Sequence, residues 1–338
     1  MTCVLILLIT IFLFAKVLET KTSEVSVAAN DSSIKNDMIV DENGCVSFEE
    51  NDYFKKYIIN LKDEIKDIDW KETKDLITIK MDKSKIENLA IKSKDKNIFS
   101  YITAKNENGQ VLINIKKKFN KNYVYKDLMD GKKIVVLVAK LEKPYDYKVV
   151  IDAGHGEYDI GTSCGGIKEK DVTLKIGLYT LNNLTYNGCN VIFTREKDKM
   201  PRNARNEKED VRARTAIANE EKADLFISIH VDDYKDKSLK GVTTYYNSQN
   251  GFQYEERRKL ARLVSDEIVK SDGWNSRGVK SERFGVLRFT NMPSILIECG
   301  YMSNAEDRER ISKDKVLKNL AINISQGILN YLNSNNKK

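Results

Sequence analysis

A single change of hydrophobic period constrains this chain more than any other feature. As far as Leu141 the apolar residues recur with a period of two, and from Lys148 onward short apolar runs alternate with helical periods, with Pro144 marking the boundary. In the first half Ile77, Ile79 and Met81 alternate with Thr78 and Lys80, and Val111, Ile113 and Ile115 with Leu112 and Asn114, as half-buried strands do. Turn signals at Asn106–Gly109 and Asp130-Gly131 separate these from a further apolar strand, Ile134–Val138. Residues 51–143 therefore read as a small β-rich module. It holds no histidine and no clustered nucleophile, which points to binding or spacing.

The second half, residues 148–335, reads as an α/β domain, a mixed open sheet flanked by helices. Strands are expected at Val149–Asp152, Asn190–Thr194, Leu225–His230, Val242–Tyr246 and Ser294–Glu298, with helices between them. Asp171 is expected to cap a helix that carries Leu174, Leu178 and Leu181 on one face and stops near Gly188. Tyr254–Val269 places Leu260, Leu263, Val264 and Ile268 similarly, and a last helix runs from about Lys315 to Leu332.

Ahead of both halves, Met1–Ala15 is uncharged and Val4–Phe14 is apolar apart from Thr10, the length of an export signal rather than of a comfortable span. Residues 1–20 are thus a signal peptide or a membrane anchor. The cleavage-like Ser26-Val27-Ala28 lies far beyond the apolar run, which favours retention. Residues 21–50, rich in Ser, Asp, Asn and Lys, read as a flexible tether. The formal charge of +7 is spread along the chain without a block of consecutive Lys or Arg, so nucleic acid is not the expected partner. Five cysteines with no CxxC spacing indicate neither a zinc cluster nor a disulfide framework.

Histidine is scarce: only His155 and His230 occur, so any imidazole chemistry must use them. Both fall at the carboxyl ends of expected strands, where open α/β sheets bind ligands. His155 follows Val149–Asp152 inside Ala153-Gly154-His155-Gly156, and His230 ends Leu225–Ile229. Glu298 terminates the apolar run Ser294–Ile297, where a carboxylate is poorly solvated and needs a partner, and Glu169 precedes the first helix at the same sheet edge. Two histidines and a carboxylate suit a catalytic zinc site, and a second carboxylate beside the metal suits a general base for amide hydrolysis. Taken singly, each histidine also reads as a satisfied polar residue at a strand end, and Glu169, in the run Lys168-Glu169-Lys170-Asp171, as a solvated helix start. The same ligand types serve iron oxygenases, although those favour a different architecture. Cys299 could be offered as a nucleophile instead, but it is expected to point away from Glu298.

The blocks Val149-Val150-Ile151-Asp152-Ala153-Gly154-His155-Gly156, Lys168-Glu169-Lys170-Asp171, Val191–Arg195, Ala223–His230, Val286-Leu287-Arg288 and Pro293–Asn304 closely resemble, in order, the zinc-dependent N-acetylmuramoyl-L-alanine amidases of bacterial cell walls. The resemblance implies one zinc ion per catalytic domain held by His155, Glu169 and His230, with Glu298 as the catalytic carboxylate. It implies hydrolysis of the amide between the lactyl group of N-acetylmuramic acid and L-alanine, with peptidoglycan as partner and an extracytoplasmic, membrane-anchored or secreted location. A zinc peptidase acting within the stem peptide and a non-catalytic wall-binding protein are the alternatives. Arg195 and Arg288 are candidates to orient substrate carboxylates, or else structural ion pairs. The chain departs from the family at Ala153, where Pro is common, and at Asp232, where Asn is common. The β-rich module resembles, loosely, a wall-targeting module.

Overall fold

The computed structural model describes residues 38–93, 96–126, 131–249 and 253–335, so the apolar N-terminal run and Ser26-Val27-Ala28 lie outside the described residues. Among the described residues no helix is long and apolar enough to cross a membrane.

The module is built from β1 (Ile39–Val40), β2 (Val46–Glu50), β3 (Phe54–Asn60), β4 (Asp69–Glu72), β5 (Leu76–Asp82), β6 (Ala90–Lys92), β7 (Ile102–Glu107), β8 (Gln110–Lys116), β9 (Tyr123–Lys126) and β10 (Lys133–Ala139). They form a six-stranded sheet, β1-β6-β2-β3-β10-β9, and a four-stranded sheet, β4-β5-β8-β7. The alternation works as expected: Ile77 and Ile79 pair with Ile115 and Ile113 and are buried, while Thr78 turns outward and its hydroxyl donates to Asn114 Oδ1 at 2.8 Å. The tether is shorter than the sequence suggests, because β1 and β2 already belong to the sheet and Cys45 and Val46 are buried in its core. Polar flanks hide this strand: Glu49 sits opposite Lys56 on β3 and pairs with it at 2.6 Å.

The second half contains β11 (Tyr147–Ala153), the hairpin β12 (Ser163–Cys164) and β13 (Ile167–Lys168), α1 (Glu169–Tyr186), β14 (Cys189–Phe193), α2 (Glu207–Glu220), β15 (Leu225–Asp232) and β16 (Val242–Tyr246). It continues with α3 (Tyr254–Asp272), β17 (Ser276–Ser281), α4 (Gly285–Arg288), β18 (Ser294–Tyr301), α5 (Ala305–Ile311) and α6 (Asp314–Asn335). The sheet order is β14-β11-β15-β18-β16-β17. Its first four strands are parallel, and β16 runs antiparallel to β18, so the sheet is mixed. One face packs against α1, α3 and α6 through Ile227, Ile297, Val264 and Ile324. The other packs against α2 and α4 through Phe226, Leu296, Ala218 and Leu287.

Helix α1 starts earlier than expected. Lys168 is its N-cap, and Asp171 lies inside the first turn. The Glu169 N–H is drawn to the Thr162 carbonyl at 2.9 Å across the β12–β13 hairpin, which fixes the helix start there. Its buried stripe is Val172, Thr173, Ile176, Thr180 and Leu184, and Leu174, Leu178 and Leu181 are only half-buried beside it. The edge strand β17 was not expected, since Ser-Arg-Gly-Val-Lys-Ser carries no apolar alternation.

Candidate active site

Strand parity brings the candidates together. Along β15, Leu225, Ile227, Ile229 and Val231 enter the core under α1, α3 and α6, which turns Phe226, Ser228 and His230 to the other face. Along β18, Ile295, Ile297 and Cys299 enter the same core and Leu296 and Glu298 face away. His230 and Glu298 are register partners on adjacent parallel strands, so their side chains are neighbours at one sheet end. Cys299 is fully buried on the opposite face, where burial pushes its thiol well above the usual range.

His155, Glu169 and His230 each offer one donor atom, and the three atoms lie within 4.8 Å of one another. Glu169 is the hub: Oε1 stands 3.0 Å from His155 Nε2 and 3.0 Å from His230 Nδ1 and accepts the Val231 N–H at 3.0 Å. Its Oε2 accepts the Thr162 N–H at 2.9 Å. Burial alone would raise the Glu169 carboxyl, but the two imidazoles outweigh it and hold the group far below its usual range. Burial likewise works to lower His155, and Glu169 with Asp159 overrides it, raising that imidazole above its ordinary value. The centre therefore favours positive charge. Two imidazole nitrogens and one carboxylate oxygen at this spacing fit a tetrahedral zinc ion with a position left open.

The two histidines are held by their surroundings. Gly154 lies against the His230 ring so closely that a Cβ built there would stand 2.4–2.7 Å from its ring atoms. His155 has a left-handed backbone, φ +63°, an uncommon conformation that neighbouring contacts impose. Gly156 and Asp159 exchange backbone hydrogen bonds at 2.9 Å, and the Asp159 carboxylate stands 2.7 Å from His155 Nδ1. With the Nδ1–H donated to Asp159, the Nε2 lone pair faces the centre.

Beneath the loop, two buried arginines grip its carbonyls. Arg195 donates to the carbonyls of Ala153, Gly154 and Lys170 at 2.7–2.9 Å. Arg214 on α2 donates to the carbonyls of Ala153 and His155 at 2.7 and 2.9 Å, to Asp152 at 2.7 Å and to both oxygens of Asp210. Burial opposes the charge of the fully enclosed Asp152, but Arg214, with hydroxyls from Ser228 and Thr194, holds its carboxyl below the usual range. Arg195 thus faces inward, 5% exposed, and is a tie for the loop; both substrate contact and ion pairing give way to carbonyl acceptors. Arg288 is exposed at the end of α4, with its guanidinium 5.2 Å from the Phe289 ring centroid. Asp159, Arg214 and Asp152 escaped the sequence reading, because their partners are a ring nitrogen, carbonyls and hydroxyls with no fixed spacing.

Glu298 completes the cluster. Its Oε2 is enclosed and has no hydrogen-bond partner among the described residues. Burial, then the charges of Asp232 and Glu169, push its carboxyl well above the usual range. A buried, unsatisfied carboxylate with a raised pKa beside an N/O donor set is a signature of acid–base chemistry rather than of fold stability.

The family model for N-acetylmuramoyl-L-alanine amidase matches residues 149–330, just over half of the chain. The chain belongs to this family. The amidase is 32% identical over 191 residues to the germination-specific N-acetylmuramoyl-L-alanine amidase of Bacillus subtilis, covering 54% of this chain and 78% of that one. The crystal structure of N-acetylmuramoyl-L-alanine amidase from Clostridium difficile 630 superposes with a TM-score of 0.51 at 33% identity, over 56% of this chain and 97% of that one. The CwlD amidase from Clostridioides difficile, solved in complex with the GerS lipoprotein, gives 0.51 at 28% identity, over 56% and 100%. The amidase domain is accordingly a hydrolase of cell-wall peptidoglycan.

Proposed function

We propose that this amidase cleaves the amide between the lactyl group of N-acetylmuramic acid and L-alanine, with His155, Glu169 and His230 as zinc ligands and Glu298 as the catalytic acid and base. The observation that carries this reading is the convergence of the only two histidines on Glu169, next to a carboxylate with an unbonded oxygen. When bound, zinc lowers the pKa of a water molecule towards about 7 and polarises the scissile carbonyl. Glu298, whose enclosed Oε2 has no other hydrogen-bond partner among the described residues, takes a proton from the attacking water. It then delivers the proton to the departing amine of L-alanine. Asp159 holds the His155 ring and Gly154 packs against that of His230, and Arg195 and Arg214 fix the loop that carries His155.

The relatives named as cell-wall amidases support extracytoplasmic action. In this reading residues 1–20 export the chain and stay as an anchor or are cut away, and the β-rich module binds the wall. Mass spectrometry of purified peptidoglycan after digestion tests the bond cleaved. Free stem peptides beginning at L-alanine, with intact glycan strands, are expected. Products cut within the stem peptide would establish a peptidase instead.

A further inference from the structure

A polar cavity of about 390 Å³ opens between α3 and the edge strand β17. Tyr246, one of its walls, belongs to the core under α3, so the cavity lies on the sheet face opposite to His230 and Glu298. Tyr254, Arg258, Arg262 and Asp266 follow at intervals of four along α3, in a row on one flank of the helix, and all four line the cavity. Both arginines are exposed, and among the described residues neither guanidinium is held in an ion pair or a hydrogen bond. With Asp266 as the one carboxylate of the lining, the cavity is net positive. Ser265 lines it too, 3% exposed and with no hydrogen-bond partner for its hydroxyl among the described residues. The Tyr246 and Tyr254 rings, with centroids 5.8 Å apart, add an aromatic side. On the strand side a β-bulge widens the edge: Val242 pairs with Ser276 but Thr244 with Val279, which leaves one residue extra. Gly278 in that bulge takes φ +78°, with open space where a Cβ would stand.

We propose that this cavity binds a phosphodiester of an anionic polyol phosphate chain, free or wall-linked, with Arg258 and Arg262 on the phosphate oxygens. Guanidinium forks match phosphate oxygens in pairs, and two forks one helical turn apart offer more donors than a single carboxylate accepts. Inorganic phosphate would leave the rest of the cavity unused, whereas Tyr246, Tyr254 and Ser265 offer ring faces and hydroxyls to a polyol. A lipid headgroup fits less well, because none of the large apolar side chains exposed among the described residues lines the cavity to enter a bilayer. The cavity shares no residue with the zinc ligands or Glu298. It therefore goes beyond the amidase reading, and gives the enzyme a hold on an anionic polymer separate from its hold on the scissile bond.

The test is isothermal titration of the zinc-loaded full chain with a synthetic glycerol phosphate oligomer. Saturable binding is expected, and Arg258→Gln and Arg262→Gln are each expected to raise Kd about tenfold or more. Arg262→Lys keeps the charge but not the fork, and should fall between wild type and Arg262→Gln. Lys280→Gln is the control: it removes the same charge from an exposed position on β17 outside the cavity, and its Kd should stay within about twofold of wild type. Thermal unfolding of each variant checks that the fold is kept, as expected for exposed side chains. The site would be overturned by absence of saturable binding to the wild type, or by an equal loss in Lys280→Gln. Unchanged affinity in both Arg258→Gln and Arg262→Gln, the result that binding at the zinc centre would give, overturns it as well. So does binding of phosphatidylglycerol vesicles without binding of the oligomer. Each of these failures leaves the amidase reading standing, since none of them touches turnover.

Discussion

Adding one methyl group at Gly154 tests how closely the site geometry controls the chemistry. A Cβ there would lie 2.4 Å from His230 Cε1, 2.5 Å from Nε2 and 2.7 Å from Nδ1, against an ordinary contact distance of 3.4–4 Å. The ring must therefore retreat by about 1 Å, a displacement that typically costs about 100-fold in rate at a catalytic centre. The backbone itself accepts alanine, since Gly154 is not among the left-handed glycines. Overpacking costs about 1–3 kcal/mol, and the stiffer unfolded chain offsets about 0.4–1 kcal/mol of that. Gly154→Ala is thus expected to fold, with the melting temperature of the zinc-free protein lowered by only about 0–10 °C. Zinc affinity, read by competition with a chelating indicator, and kcat/KM on muropeptide are each expected to fall about 100-fold. Gly166→Ala is the control: its backbone is strained, φ +80°, but nothing lies within 4 Å of the new Cβ, so zinc binding should be unchanged. Zinc affinity and kcat/KM of Gly154→Ala within about threefold of wild type would refute the close packing of Gly154 on a ligand.

Three further outcomes are expected. Asp159→Ala removes the carboxylate 2.7 Å from His155 Nδ1 and should weaken zinc binding about 10–100-fold, measured by the same competition; unchanged affinity would show that Asp159 does not orient the ring. Arg214→Met leaves Asp152 buried with only hydroxyl partners and should cost about 3–5 kcal/mol, read by denaturant unfolding of the zinc-free protein, whereas a loss below about 1 kcal/mol would contradict the tie. Because Glu169 and Asp159 raise the His155 pKa above its ordinary value, protons compete with zinc from a higher pH than for a free imidazole. Zinc affinity should then fall steadily as pH drops from 8 to about 6, and a flat profile would argue against His155 as a ligand.

How much of this was legible in the sequence depended on the kind of partner each residue has. Apolar runs ended by His230 and Glu298 announced strands with chemistry at their tips, because parity and strand ends are written in the order of residues. Glu169 was visible mainly through family resemblance, since a Lys-Glu-Lys-Asp run equally describes a solvated helix start. Arg195 invited a substrate role because arginine pairs with carboxylates, yet its acceptors are backbone carbonyls, which every residue carries and no pattern reveals. Arg214 was silent for the same reason. The early strand β2 was missed because Glu49 and Glu50 mask its apolar face, and the edge strand β17 because a strand half open to solvent needs little apolar alternation.

The central claim is that Glu298 moves the protons and does not hold the metal. The most direct measurement is kcat of zinc-loaded Glu298→Gln on muropeptide, with zinc content determined on the same sample. Glutamine keeps the size of the side chain but cannot take the proton. The expected result is about one zinc per chain with kcat reduced about 100-fold or more. Near wild-type turnover with zinc in place would contradict the mechanism, and loss of zinc would make Glu298 a ligand instead.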